Sequence, residues 1–325
     1  MSATPAPPRA DVPDGDAPAA EGIPRPLGHE PVRAWLRAGA ARSMAFVGPD
    51  AVGRRTVARW YSAWANCDDP GDEPCGRCPS CRAAAAGAHP DLLEKAPAAR
   101  TSSGRAAMRP TLTIDQLVVR DRRDADPEPV SRWLERRPRF RVRVAVIDDA
   151  HLATEGAANA FLKTLEEPPS WARIVLIAPS PAALAPTLAS RCATVRFGAA
   201  PTLGFEELEP HPALRTGQVG QLIRARREPE VERSVREAVT TFVAALDGPL
   251  HEALAAGRAW IETWSAHPER APAGRTLEHL RRDAPRRYRA ALEAVPEAEQ
   301  ALRAYVTPSV VANALTLRLR SVGRG

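Results

Sequence analysis

Four cysteines stand close together in a chain that has only five, spaced Cys67-x7-Cys75-x2-Cys78-x2-Cys81. Thiolates two residues apart turn toward one tetrahedral ion, and four of them close a structural zinc site with no position left for water. The plain alternative is four free thiols in a reducing compartment, where disulfides are not expected. Just upstream, residues 48–56 read GPDAVGRRT. A loop that wraps phosphates follows GxxxxGK with Ser or Thr next: backbone amides enclose the anion, lysine meets the β and γ oxygens, and the hydroxyl holds magnesium. Gly48 and Gly53 keep the turn, but Arg54 stands in the lysine position, Arg55 in the hydroxyl position, and Thr56 comes one residue late. Arginine meets phosphate through a planar fork but is bulkier than lysine and a poorer point charge in a tight loop. A guanidinium cannot ligate magnesium at all. Farther along lie a carboxylate pair, Asp148 and Asp149, and an arginine, Arg191, between Ser190 and Cys192.

The surrounding pattern supplies elements to hold these groups. Residues 43–47 and 144–147 are short apolar runs that read as buried strands, the first entering the glycine loop and the second ending at the carboxylate pair. After residues 48–56, Val57, Trp60, Tyr61 and Trp64 fall on one helix face. After the carboxylates, Thr154 caps a helix whose Ala158, Phe161, Leu162 and Leu165 share a face, and Pro168-Pro169 stops it. Residues 174–177 form another buried strand, and turns then lead to Arg191. Strand, acidic edge, helix, strand and arginine make the layout of a nucleotide-dependent switch.

Residues 147–169, IDDAHLATEGAANAFLKTLEEPP, and the later LAPTLASRC closely resemble the Walker B strand, its helix and the SRC motif of bacterial clamp-loader subunits. The nearest likeness is to the delta-prime family of the DNA polymerase III clamp loader, within the AAA+ superfamily. It runs with few gaps from Gly28 to about Phe197 and is loose beyond. The resemblance implies an α/β fold: an AAA+ P-loop-type parallel sheet with an inserted zinc module, a small helical lid and a C-terminal all-α collar. It places the cysteines where such subunits carry zinc, and the Gly87–Asp91 core (GAHPD) resembles the family's segment just past that module, so that His89 reads as a turn residue. Arg191 corresponds to an arginine finger that reaches a neighbour's ATP.

Other positions depart from the ATPases of that superfamily. Residues 177–180 put apolar side chains where a polar sensor stands, and Asp149 replaces a glutamate, one methylene short for a catalytic base. Gly48, Gly53, Arg54, Thr56, Asp148 and Asp149 therefore read as a degenerate nucleotide site that does not bind ATP productively. The function implied is that of a non-hydrolysing subunit, partnered by delta and gamma/tau subunits in a hetero-pentamer that loads a sliding clamp onto primed DNA. Two alternatives stay open: an active gamma-type ATPase, and a zinc-dependent DNA-binding protein, which leaves the Walker-like scaffold without a purpose.

At 325 residues the chain has room for two or three domains. No apolar run approaches the ~20 residues of a membrane span. Net charge is +6, almost all of it from arginine, since Lys95 and Lys163 are the only lysines. This bias fits genome base composition and an ordinary solvated surface, and is compatible with work near phosphate backbones. Residues 1–27 read as a disordered leader of a cytoplasmic protein. The core is expected over 28–198 with the zinc module at 67–81, a reduced lid over 199–230, and the collar over 231–325.

Within that plan, a helix begins after Gly28 with Val32, Trp35 and Leu36 on one face. Residues 96–112 read as a loop, 113–118 resemble the family's IDQ segment, and 119–129 form an insertion before a helical face at Val130, Trp133 and Leu134. In the collar, one stripe holds Val235, Ala238, Val239, Phe242, Val243 and Leu246; a second Leu250, Leu254, Ile261 and Trp264; a third Leu277, Leu280 and Tyr288. Pro308 reads as an interruption, with Val311, Ala314 and Leu315 beyond it.

Overall fold

The computed structural model describes residues 22–100, 106–119, 128–208, 211, 213–266, 297–298, 301 and 306–323. Five parallel strands form its main sheet: β1 (Ser43–Val47), β2 (Leu92–Lys95), β5 (Arg143–Ile147), β6 (Ala172–Ala178) and β7 (Ala193–Arg196), in the order β2-β5-β6-β1-β7. The central strands are apolar beyond Ser43, Arg143 and Arg173 at their amino ends because helices cover both faces. Met44, Phe46, Val144, Val146, Val175 and Ile177 point to the side of α1 (Glu30–Gly39) and α2 (Arg54–Ala65). Their alternates Ala45, Val47, Ala145, Ile147, Ile174 and Leu176 point to the other side. There α4 (Ile114–Leu117), α5 (Val130–Glu135), α6 (Glu155–Glu166) and α7 (Pro186–Ala189) pack. The register β1 Val47 to β6 Ala178, and β5 Ile147 to β6 Leu176, brings the carboxyl ends of the strands to one edge.

The predicted helices form for the predicted reasons. In α6, Thr154 Oγ1 accepts the Ala157 amide at 3.2 Å, and Ala158, Phe161 and Leu165 are buried with Leu162 packed beside them. In α2, Val57, Trp60 and Tyr61 are buried, and Trp64 lies half-buried next to them. Thr113 and Gln116 close a capping box on the short α4.

Elsewhere the structure corrects the reading. Residues 96–112 are not wholly a loop, because β3 (Ala98–Arg100) and β4 (Ala106–Thr111) pair antiparallel. Trp35 faces outward, 39% exposed, since the apolar contacts of α1 with this core are made by Val32 and Leu36. The structure describes only residues 119, 128 and 129 of the insertion, and the leader only from residue 22.

The described residues divide into two units after Gly204, with Gly217–Gly220 belonging to the first. The second is helical: α8 (Ala213–Thr216), most of α9 (Val219–Arg227), α10 (Pro229–Ala245), α11 (Leu250–Ala266) and α12 (Pro308–Gly323). Val239, Phe242 and Leu246 of the α10 stripe meet Trp260 from α11 and Val311, Ala312, Leu315 and Leu319 from α12. Among the described residues the inward face of α11 is Ala253, Gly257 and Trp260, whereas Leu250 is 45% exposed and Leu254 half-buried, so these two members of the second stripe do not form the buried face. The cause is the flat stack of Trp260 on Phe242, with centroids 4.8 Å apart, over a glycine that admits close contact. Ala314 likewise faces out. Pro308 starts α12 rather than breaking it, as its missing amide permits in a first turn. The third expected stripe, and the side chains of Ile261 and Trp264, lie outside the described residues. Among the described residues no helix is long and apolar enough to cross a membrane.

Candidate functional site

The chain leaves β1 through α2 for the edge strand β2, while β6 and β7 flank β1. Such a switch point in an open α/β sheet leaves a crevice beyond the carboxyl ends of the strands, where ligands bind. The glycine loop, Asp148, Asp149 and the end of β6 all meet there. The Gly48 amide donates to the Ala178 carbonyl at 3.3 Å, and a Cβ at Gly48 would stand 2.4 Å from the Phe197 carbonyl oxygen. Only glycine fits. Gly53 turns into α2 with φ 103°, and Thr56 is buried in the first turn. His29 closes over the loop: its Nε2 donates to Val52 O at 2.7 Å, and its ring meets Phe197 edge-on at 4.9 Å. Burial pushes the imidazole's pKa down and favours the neutral ring.

The two arginines that replace lysine and hydroxyl are already engaged. Arg54 is almost wholly buried; its Nη2 donates to Asp50 Oδ1 at 2.7 Å and its Nη1 to the Ala178 carbonyl. That guanidinium therefore fills the loop from inside, between the loop's own carboxylate and the carbonyl at the end of β6. Arg55 reaches the other way. Its Nε donates to Glu94 Oε1 at 2.8 Å, and its Nη1 lies 3.8 Å from Asp148 Oδ2. Arg59 holds the same glutamate, Nη2 to Oε2 at 2.8 Å. Burial pushes the Glu94 carboxyl up, but hydrogen bonds from Arg59 and Arg55 and their charges outweigh it and hold it below the ordinary range. Asp149 sits in the left-handed region with φ 45°, its amide on Asp148 Oδ1 at 3.0 Å. Ile177 and Ala178 are buried, apolar strand residues, so the end of β6 itself offers this edge a backbone carbonyl and no polar side chain.

Arg191 stands away from this crevice, on the turn after α7. Backbone bonds from Arg191 N to Leu188 O at 3.2 Å and from Cys192 N to Ala189 O at 3.4 Å shape that turn, and buried Leu188 anchors it. The arginine's Nε donates to Glu166 Oε1, and its Nη1 to Thr187 O at 3.0 Å and Ser190 Oγ at 3.2 Å. Its side chain is 32% exposed. Burial pushes the neighbouring Cys192 thiol up to about 12, so it stays protonated and inert.

The four cysteines do converge. Cys67 lies just past the end of α2, and Cys78 caps α3 (Pro79–Ala85), which carries Cys81. All four sulfurs lie within 4.8 Å of one another, with Cys75 and Cys81 Sγ 3.9 Å apart. Zinc–sulfur bonds of about 2.3 Å set a tetrahedral edge of about 3.8 Å, so small adjustments fit the ion. Amides already point at the sulfurs, from Cys75 N to Cys67 Sγ at 3.2 Å and from Cys81 N to Cys78 Sγ at 3.4 Å. Hydrogen bonds from the Arg77 and Cys78 amides lower the Cys75 thiol to about 6, whereas burial pushes Cys67 and Cys81 up. The donor set suits a soft dication that displaces thiol protons on binding. His89 is occupied elsewhere: Nε2 with Ser80 Oγ at 3.0 Å, and Nδ1 accepting the Asp91 amide at 3.2 Å.

Sequence reasoning missed Asp50, Glu94, Glu166 and His29. Asp50 lies four residues before Arg54, a pairing distance that the sequence does show; the other three meet their partners only through the fold.

Residues 36–201, half of the chain, match the family model described as DNA polymerase III, delta subunit. A DNA polymerase III subunit delta' from Pseudomonas aeruginosa is 32% identical over 157 residues, 48% of this chain and 43% of that protein. The Escherichia coli subunit delta' is 37% identical over 39% of this chain and 33% of its own length. Subunit tau from Bacillus subtilis is 30% identical over 47% of this chain and 24% of its own length. The matched stretch thus spans less than half of each of these relatives. A crystal structure of a DNA polymerase III, gamma subunit-related protein from Thermotoga maritima is similar at a TM-score of 0.50 and 17% identity, covering 91% of this chain and 99% of that one, a likeness of fold alone. With the parallel sheet, the glycine loop and the acidic edge in place, these matches make the chain a member of the DNA polymerase III, delta subunit family, a clamp-loader subunit of the AAA+ type.

Proposed function

We propose that this chain is a delta-prime-like, non-hydrolysing subunit of the DNA polymerase III clamp loader and that it lends Arg191 to the ATP site of a neighbouring subunit. The observation that carries the first half is the position of Arg54, buried in the loop on Asp50 and the Ala178 carbonyl. A nucleotide would have to expel a paired guanidinium before its phosphates met the loop amides. Arg55 supports the same reading, because its charge stands beside Asp148, on the side where magnesium would bind. Phosphoryl transfer depends on positioned metal and fixed charge, and both places are taken by the chain's own side chains. Arg191 lies in an exposed turn, outside that crevice, as a group acting on another subunit's ligand should.

In this reading the four thiolates of Cys67, Cys75, Cys78 and Cys81 hold one structural zinc, which ties the end of α2 to α3. The helices from 199 to 230 act as a reduced lid and those from 231 onward as a collar. The partners are delta and gamma/tau subunits in a hetero-pentamer, with the sliding clamp and primed DNA as its cargo, in the cytoplasm. A gamma-type ATPase reading draws on the tau relatives, but it needs Arg54 to release both of its partners and some other group to hold magnesium.

The test is a loader reconstituted with Arg191→Ala in this subunit. Folding, zinc content and assembly should be unchanged, while ATPase stimulated by DNA and clamp falls. A trans arginine contributes about a thousandfold or more at the site it serves, so the loss in an assembly with several sites is partial. Unchanged ATPase and clamp loading would leave this subunit a scaffold only.

A further inference from the structure

We infer that Glu166 is a positioning residue for Arg191, fixing its guanidinium so that Nη2 is left to face outward. The inference rests on the trans-arginine reading above and deepens it. Arg191 has five N–H donors, and its own chain engages them from both sides: Nε with Glu166 Oε1, and Nη1 with Thr187 O at 3.0 Å and Ser190 Oγ at 3.2 Å. Among the described residues Nη2 makes no hydrogen bond, so this nitrogen remains to meet an oxyanion beyond the chain. An arginine on a short turn otherwise samples many rotamers, and two anchors across the fork remove most of that freedom before any partner arrives.

Stability of the chain does not account for the pair. Glu166 and Arg191 are 47% and 32% exposed, and ion pairs so open to water contribute little. Glu166 is also the last residue of α6, where a negative charge opposes the helix dipole. A carboxylate there costs the helix something, and a function for Arg191 explains its place. A short 3-10 turn, Ala150–Leu152, leads from Asp148 and Asp149 into α6, which ends at Glu166, so consecutive elements connect the acidic edge with the arginine's anchor.

The experiment uses full-length chains carrying Glu166→Ala, Glu166→Gln, Arg191→Ala, or Glu166→Ala with Arg191→Ala, each assembled into the reconstituted loader. Glu166→Ala should lower kcat of the stimulated ATPase several-fold without raising KM for ATP, and leave the chain's melting temperature unchanged. Glutamine keeps a neutral acceptor and should recover part of the rate. In the Arg191→Ala background, Glu166→Ala should have no further effect. The positioning role is overturned if Arg191→Ala lowers the rate and Glu166→Ala does not, or if the two losses multiply. If Arg191→Ala itself changes nothing, the trans-arginine reading falls and this inference with it.

Discussion

Arg54 brings a permanent charge and five fixed donors into a loop shaped for a flexible ammonium. The loop accepts it because Asp50, one turn earlier, and the β6 carbonyl give the fork two acceptors of its own. A buried charge needs such partners, and once it has them it resists exchange for a ligand that must also shed water. The isolated chain is accordingly expected to show no ATP hydrolysis and at most weak nucleotide affinity. Arg54→Lys alone should not restore turnover, because Arg55 still sits against Glu94 and Asp148 and the β6 edge still lacks a polar side chain. Phosphate release by the purified proteins and a nucleotide titration check this. Turnover by the wild-type chain that Asp148→Asn abolishes would put the gamma-type reading in its place.

At the scale of elements, α2 serves two sites at once. Its first turns carry Arg54, Arg55 and Arg59 to the carboxyl edge of the sheet, and its later turns carry Trp60 and Trp64 to the loop between Cys67 and Cys75. Trp60 Nε1 donates to Glu73 Oε2 at 2.6 Å, Trp64 Nε1 donates to Gly71 O at 2.9 Å, and Arg33 lies over the Trp60 ring at 4.7 Å. The cysteine loop is thus latched to two indoles. A closed thiolate site contributes on the order of 10 kcal/mol to local folding. Stripping zinc should therefore free residues 67–90 and shift the tryptophan emission, while elemental analysis of protein purified without chelator finds one zinc per chain. A fully folded, metal-free chain would end the zinc assignment. In the helical unit, a Cβ on Gly257 would lie 2.9 Å from Thr316 Oγ1, which is held by its 2.7 Å bond to Ala312 O, and 3.3 Å from Phe242. Gly257→Ala should lower stability by about 1–3 kcal/mol through overpacking, read from chemical denaturation.

For the whole molecule, what was legible in the sequence was whatever depends on local spacing. Short apolar runs as strands, the 3.6-residue face of α6, its Thr154 cap and its proline stop are set by neighbours along the chain, and the order of strands, loop and acidic edge came from them. The cysteine spacing likewise picked out the four thiols that the fold brings together. Where a helix face was nearly apolar all round, as in α11 with its many alanines, spacing alone could not choose the buried side. The stack of Trp260 on Phe242 chose it, and left Leu250 in water. Tertiary structure alone decided the fate of the charges. Nothing local joins Arg54 to Ala178, Arg55 to Glu94 and Asp148, or Arg191 to Glu166, because these partners are separated by 25 residues or more and meet only when parallel strands and their crossover helices bring the ends together. The sequence determined that lysine and magnesium-binding hydroxyl were missing from the loop. Only the fold showed what holds the two guanidinium groups that stand there, Asp50 and the Ala178 carbonyl for Arg54 and Glu94 for Arg55.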